Sequence, residues 1–211
     1  MLGKLRPKVS RLTLILAKPF ALLGIHPNIV SFLGIPLAMV SAYFVLQQSF
    51  LLAFLFALLA VSTDLIDGSV ATLLKKRSNF GNYFETMVDK CVEIILIAPF
   101  ALSFPLAAFC AVSLSLLASY AKPRVALVII TDNRDWPAVG EHAERLLLLL
   151  AGLLASAFGF AIYGFSAMEL SLWLIAIISF AGLLQRMLFA RKLILEAEKN
   201  GNVLPYLKKK N

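Results

Sequence analysis

Charge is what this chain has least of. Asp, Glu, Lys and Arg make up 15% of its 211 residues, against about 25% in an ordinary soluble domain. Histidine and cysteine occur only twice each. Cys91 and Cys110 both fall inside apolar runs and read as free buried thiols rather than as a disulfide or a metal pair. His26 stands before Pro27 and reads as a turn residue. No small-residue cleavage site follows the basic start, so a secretory signal pattern is not seen. There is no polar stretch long enough for a soluble domain, no low-complexity linker and no internal repeat. The apolar runs show no alternation, which excludes a transmembrane barrel.

What is abundant is apolar surface. Hydrophobic residues make up 60% of the chain and mean hydropathy is +0.86, above the roughly 45–50% apolar content of soluble domains. The reading is an all-α integral membrane protein. An amphipathic, interfacial helix is expected over 3–25, where Lys4, Arg6, Lys8, Arg11 and Lys18 alternate with leucines, before a turn at Gly24-Ile25-His26-Pro27. Six transmembrane helices follow, over about 28–46, 50–74, 80–101, 104–128, 143–163 and 167–190, with Pro36 a kink in the first. Each is long enough for a hydrocarbon core of about 30 Å. Residues 1–211 are read as one membrane domain.

The net charge of +8 reads as topology, not as affinity for nucleic acid. With the N-terminus inside, the inside segments are 1–27, 75–79, 129–142 and 191–211. The outside turns lie near 47–49, 102–105 and 164–168. No Lys or Arg falls in an outside turn, a strong positive-inside pattern. The Lys208-Lys209-Lys210 tail reads as a solvated or lipid-headgroup-binding end. A multi-pass protein of a prokaryotic cell membrane is expected.

Ionisable residues inside spans are costly and mark function. Asp64 and Asp67, spaced i, i+3, end the second span. Glu85 and Asp89, spaced i, i+4, lie in the inside half of the third. Each pair shares a helix face. Two such helices side by side aim four carboxylates at one spot, the outline of a divalent-metal site that opens to the cytoplasm. Lys90 and Glu93 read as an internal salt bridge. The four carboxylates have no equal set of cations among them, and would repel one another unless a metal held them. Gly68, Ala71 and Gly81 clear space beside them, for close helix packing or for a flat ligand.

These residues resemble the signature of the CDP-alcohol phosphotransferase family, Asp-x2-Asp-Gly-x2-Ala-Arg-x8-Gly-x3-Asp-x3-Asp. Here it reads Asp64, Asp67, Gly68, Ala71, Thr72, Gly81, Glu85 and Asp89. Every spacing is kept, and only two positions depart. Glu85 replaces an Asp and remains a hard oxygen ligand. Thr72 replaces the Arg and brings neither charge nor fork, so Lys75, Lys76 or Arg77 would have to supply it.

The resemblance implies a membrane enzyme that transfers a phosphatidyl-type group from a CDP-linked lipid to a small alcohol and releases CMP. It implies Mg²⁺ or Mn²⁺ held by Asp64, Asp67, Glu85 and Asp89, with Asp89 as general base. Gly68, Ala71, Thr72, Gly81, Pro27 and Asn28 would border the CDP-lipid. A homodimer belongs to the same resemblance. A second basic set, Lys122, Arg124, Arg145 and Arg186, is suited to an acceptor phosphate, although membrane anchoring explains each one singly. Together with Glu141-His142-Ala143-Glu144-Arg145 they resemble the branch that uses inositol 1-phosphate, the phosphatidylinositol and archaetidylinositol phosphate synthases. His142 stands where that branch often has Arg, which keeps glycerol 3-phosphate as the alternative acceptor. A small transporter or membrane scaffold with an ion site is the non-enzymatic alternative. Transporter sites lie near the midplane, whereas these carboxylates lie near one face.

Overall fold

The structure, a computed structural model, describes residues 6–129, 136–137 and 139–202, with side chains from Thr13 onward. Residues 3–5 of the expected interfacial helix, residues 130–135 and 138 of the 129–142 segment, and the Lys208-Lys209-Lys210 tail lie outside the described residues. The chain falls into two compact units, Met1–Phe100 and Ala101–Asn211.

The first unit holds helices α1 (Arg6–Leu22), α2 (Pro27–Leu46), α3 (Phe50–Leu73) and α4 (Asn79–Ile97). Helix α2 starts where the sequence places the turn. His26 has extended backbone, its Nδ1 accepts the Asn28 N–H at 3.3 Å, and Pro27 fills the first helical position, where its missing N–H costs nothing. Helices α2 and α3 pack through small residues. Gly34, Ala38 and Ser41 form one stripe on α2, and Ala53, Ala57 and Ala60 form another on α3. Stripes of this kind let backbones approach where water does not drive association. Ser41 donates to the Ala53 carbonyl at 2.8 Å. A Cβ on Gly34 would lie 2.8 Å from Thr63 Oγ1 of α3 and 3.2 Å from Val92 Cγ2 of α4. Gly34 thus sits where three helices close on one another. Helix α1 lies against the end of α3, with Ala17 packed on Val30 and Val70 and Ser69 Oγ 3.0 Å from Thr13 Oγ1. Its other face exposes Ile15, Leu16 and Leu22.

The second unit holds α5 (Pro105–Val125), α6 (His142–Ala157), a two-stranded hairpin of β1 (Ala161–Ile162) and β2 (Phe165–Ser166), and α7 (Ala167–Lys199). Helices α5 and α7 also meet on small residues, and Ser115 and Ser179 share a hydrogen bond of 3.2 Å. The N-terminus of α6 is held from outside the helix. Gly140 has φ +68 and lies so close to the Ile178 carbonyl of α7 that no side chain fits. The Glu144 carboxylate accepts the N–H groups of Gly140 and Glu141 at 2.9 and 3.3 Å, the returning half of a capping box.

Four helices among the described residues, α2, α3, α5 and α7, are long and apolar enough to cross a membrane. The helices of the other two expected spans, α4 and α6, fall short of that length or composition for physical reasons. Helix α4 carries Glu85, Asp89, Lys90 and Glu93 in nineteen residues. Helix α6 stops after sixteen residues, at Ala157 and not near 163. There the chain turns through Tyr163 and Gly164, both at positive φ (50 and 83), the backbone of a two-residue hairpin. An all-helical reading misses that hairpin. The last helix runs on past 190 to Lys199, thirty-three residues or about 50 Å, so its charged end outruns a hydrocarbon core of about 30 Å. The thiols are free, but Cys91 is exposed on α4 and Cys110 half-buried, a correction to the buried reading.

Substituting Gly34 with Val should destabilise the first unit by about 1–3 kcal/mol through overpacking. The expected result is a lower midpoint of thermal unfolding in detergent. An unchanged midpoint would show that α2 has room at this position.

Candidate active site

The site is built where α3 ends and α4 begins. The i, i+3 spacing puts Asp64 and Asp67 on one face of α3, and Glu85 approaches from the second turn of α4. One oxygen from each of the three lies within 4.8 Å of the others. Asp67 is 2% exposed, while Asp64 and Glu85 are half-buried. Ser31 of α2 donates its hydroxyl to Asp67 Oδ2 at 2.5 Å. The other oxygen, Asp67 Oδ1, is buried and has no hydrogen-bond partner among the described residues. An unsatisfied buried carboxylate oxygen costs several kcal/mol at this order of magnitude. Beside two further carboxylates, it fits a hard divalent cation that prefers oxygen ligands.

Asp89 lies one turn beyond Glu85, half-buried. It is outside the close group of three but within electrostatic reach of Asp64, Lys90, Glu85 and Asp67. The expected pair beyond it forms, with Lys90 Nζ 3.4 Å from Glu93 Oε2 and Glu93 buried.

A cavity of ≈ 300 Å³ opens beside the carboxylates within the first unit. Asp67 and Glu85 line it, together with five of the six residues expected to border the CDP-lipid: Pro27, Asn28, Gly68, Ala71 and Gly81. The sixth, Thr72, does not line it and instead meets the Arg77 side chain. A Cβ on Gly68 would touch nothing within 4 Å, so this glycine leaves the space open and is not forced by packing. The start of α4 faces the same cavity. Ser78 caps it by accepting the Gly81 N–H at 2.9 Å, and Ser78 and Asn82 both line the wall. An uncompensated helix N-terminus favours an anion there.

Sequence reasoning missed Ser31, Ser78 and Asn82. A serine inside the small-residue stripe of α2 was the available signal for Ser31, but its reach to Asp67 depends on the crossing of α2 and α3. Of the three cations considered for the missing motif Arg, Lys76 and Arg77 line the cavity and Lys75 does not.

The basic residues expected to meet an acceptor phosphate lie in the second unit. Arg145 is 1% exposed and donates to the Gly140 carbonyl at 2.5 Å and to Ser119 Oγ at 3.2 Å. Arg186, also buried, donates to the Ala118 carbonyl at 2.8 Å. It lies within electrostatic reach of Arg145, Glu141 and Glu144. Lys122 and His142 are half-buried. Arg124 is exposed and lines an apolar groove of α5 and α7 with Tyr120, Met187 and Arg191.

The chain is similar to proteins of one chemistry. It is 26% identical over 194 residues to an archaetidylinositol phosphate synthase of Pyrococcus horikoshii, covering 91% of this chain and 97% of that one. It is 28% identical over 190 residues to a phosphatidylinositol phosphate synthase of Streptomyces avermitilis, covering 83% and 76%. Its fold is that of the Mycobacterium tuberculosis phosphatidylinositol phosphate synthase. The crystal structure of that enzyme with CDP-DAG bound matches with a TM-score of 0.71 at 22% identity, covering 85% of this chain and 94% of that one. The structure in complex with manganese and citrate gives 0.72 at 21%, covering 85% and 88%. The CDP-alcohol phosphatidyltransferase family model matches residues 24–181, a span that includes the carboxylates, the cavity and Arg145 and ends just before Arg186. This multi-pass membrane protein belongs to the CDP-alcohol phosphatidyltransferase family.

Proposed function

We propose that the protein is a metal-dependent phospholipid synthase that transfers the lipid phosphate of a CDP-linked lipid to inositol 1-phosphate. The observation that carries this reading is the close carboxylate triad with the orphaned Asp67 Oδ1, two of whose members, Asp67 and Glu85, line a cavity of ≈ 300 Å³. Asp64, Asp67 and Glu85 would hold Mg²⁺ or Mn²⁺. When bound, the cation supplies positive charge against the diphosphate and the departing CMP. Gly68 and Ala71 leave room for the cytidine, and Pro27, Asn28 and Gly81 close the other walls. Asp89 takes the proton of the acceptor hydroxyl. The new bond joins that oxygen to the lipid-side phosphorus, the bond from this phosphorus to the bridging oxygen breaks, and CMP leaves with the electron pair.

Inositol 1-phosphate is favoured as acceptor because two relatives, from Pyrococcus and Streptomyces, bear the names of inositol phosphate synthases. The buried Arg145 and Arg186 suit a phosphate, with Lys122, Arg124 and His142 as further contacts. Six spans with a cytoplasmic site and an interfacial α1 complete the reading. The lysine and arginine distribution supports the orientation, and the apolar outer face of α1 supports its place at the interface. Homodimerisation is part of the same proposal.

Purified protein with Mg²⁺ or Mn²⁺ and labelled CDP-lipid should release CMP with inositol 1-phosphate and lose the activity in EDTA. Release with glycerol 3-phosphate alone would reassign the acceptor, and no release with any acceptor would sink the enzyme reading. Asp89→Asn should cut turnover by about 10²–10⁴-fold, the usual contribution of a general base, while CDP still binds. Turnover near the parent level would remove Asp89 from that role. Gly68→Val should fold, because a Cβ there meets nothing within 4 Å, yet bind CDP at least about tenfold more weakly. Unchanged CDP affinity would place the nucleotide elsewhere.

A further inference from the structure

The family signature places an arginine where this chain has Thr72, and the structure shows what takes up that position. Helix α3 ends in a reversal. The Lys76 N–H bonds to the Ala71 carbonyl at 2.9 Å and the Lys75 N–H to the Thr72 carbonyl at 3.2 Å. Lys75 is in the left-handed region, φ 53. This is the double bond pattern of a Schellman end, with a lysine where glycine is the usual residue. The reversal carries Arg77 back over the last turn. Its Nε and Nη2 both donate to Thr72 Oγ1, at 3.2 and 2.8 Å. The Thr72 hydroxyl donates its own proton to the Gly68 carbonyl at 2.8 Å. The oxygen is therefore oriented from below by the helix and grips the guanidinium from above.

A surface arginine ordinarily samples many rotamers, and fixing one costs up to about 2 kcal/mol of side-chain entropy. Here two N–H donors are spent on a neutral hydroxyl, which restrains the fork without neutralising its charge. Arg77 remains in the wall of the cavity that Asp67 and Glu85 also line, next to Lys76 and to the N-terminus of α4, and within electrostatic reach of Glu85. A restrained cation, a lysine and a helix N-terminus on one wall suit a ligand with more than one phosphate charge.

We infer that Arg77, held in place by the Thr72 hydroxyl, binds the diphosphate of the CDP-linked substrate, so that Thr72 and Arg77 together do the work of the signature's arginine. Arg77 is the contact and Thr72 is a positioning residue. The inference rests on the cavity being the CDP-lipid site, as proposed above. Both residues are exposed, so substitution leaves the helix packing untouched.

The test is equilibrium binding of CDP, CMP and cytidine to full-length protein in detergent with Mg²⁺, using the parent, Arg77→Gln, Thr72→Val, Thr72→Ser and the Arg77→Gln/Thr72→Val double variant, each checked by thermal unfolding. Arg77→Gln should weaken CDP by about tenfold or more, the scale of a charge-assisted contact. It should weaken CMP less and leave cytidine unchanged. Thr72→Val, which keeps the shape and loses the hydroxyl, should shift CDP in the same direction. Thr72→Ser should restore parent affinity, and the double variant should be no worse than Arg77→Gln. In turnover, the KM for CDP-lipid should rise more than kcat falls. If Thr72→Val binds CDP like the parent, or if cytidine weakens as much as CDP, the inference fails while the site assignment stands. If the parent protein binds none of the three, the site assignment fails and takes the inference with it.

Discussion

A carboxylate with 2% of its surface exposed, in a chain built to avoid charge, is the constraint on which the first unit depends. Asp67 is kept where desolvation is expensive, and across the helix interface the Ser31 hydroxyl of α2 donates to it. That bond requires α2 to cross α3 closely, and the crossing requires the small-residue stripes and Gly34. The same crossing leaves a hollow between α2, α3 and the start of α4, because Gly68 and Gly81 put no side chain into it. The carboxylate cluster and the substrate cavity thus follow from one packing arrangement. A single helix shift would open the cavity wall and break the Ser31 contact together.

Much of this was legible in the residue order. The spacings put Asp64 with Asp67, and Glu85 with Asp89, on shared helix faces, because helical periodicity is local; the packing of α3 and α4 then joins Asp64, Asp67 and Glu85 and leaves the fourth carboxylate, Asp89, outside the close group. Gly68, Ala71 and Gly81, read as small residues that clear space beside the carboxylates, line the cavity. Ser31 was not legible, since a serine among small residues in an apolar helix has many bland explanations, and its partner is thirty-six residues away. The end of α6 was missed because apolar content continues through Phe158 and Phe160. The stop comes from backbone geometry at Gly159, Tyr163 and Gly164, all at positive φ, and hydropathy is blind to that.

In the second unit, structural demands fall on the same side chains that are proposed to meet the acceptor phosphate. Glu144 was one member of an acidic and basic pattern suited to substrate binding, yet its carboxylate closes the start of α6. Arg145 and Arg186 give N–H groups to the Gly140 and Ala118 carbonyls. An arginine has five donors in a rigid fork, so it can anchor a backbone on one edge and meet an anion on another. A buried arginine fixed by carbonyls is also less free to move, which lowers the entropy that binding an anion would cost. A hold on the backbone and recognition of an anion are therefore compatible at these two positions.

The left-handed lysine at the end of α3 has a wider consequence. A position-by-position pattern treats the loss of an arginine at residue 72 as the loss of a charge. A chain that reverses at residue 75 can present a guanidinium from five residues downstream over the same helical turn. On the inference drawn above, what this chain keeps is a location for positive charge, moved from one letter of the signature to another five residues along.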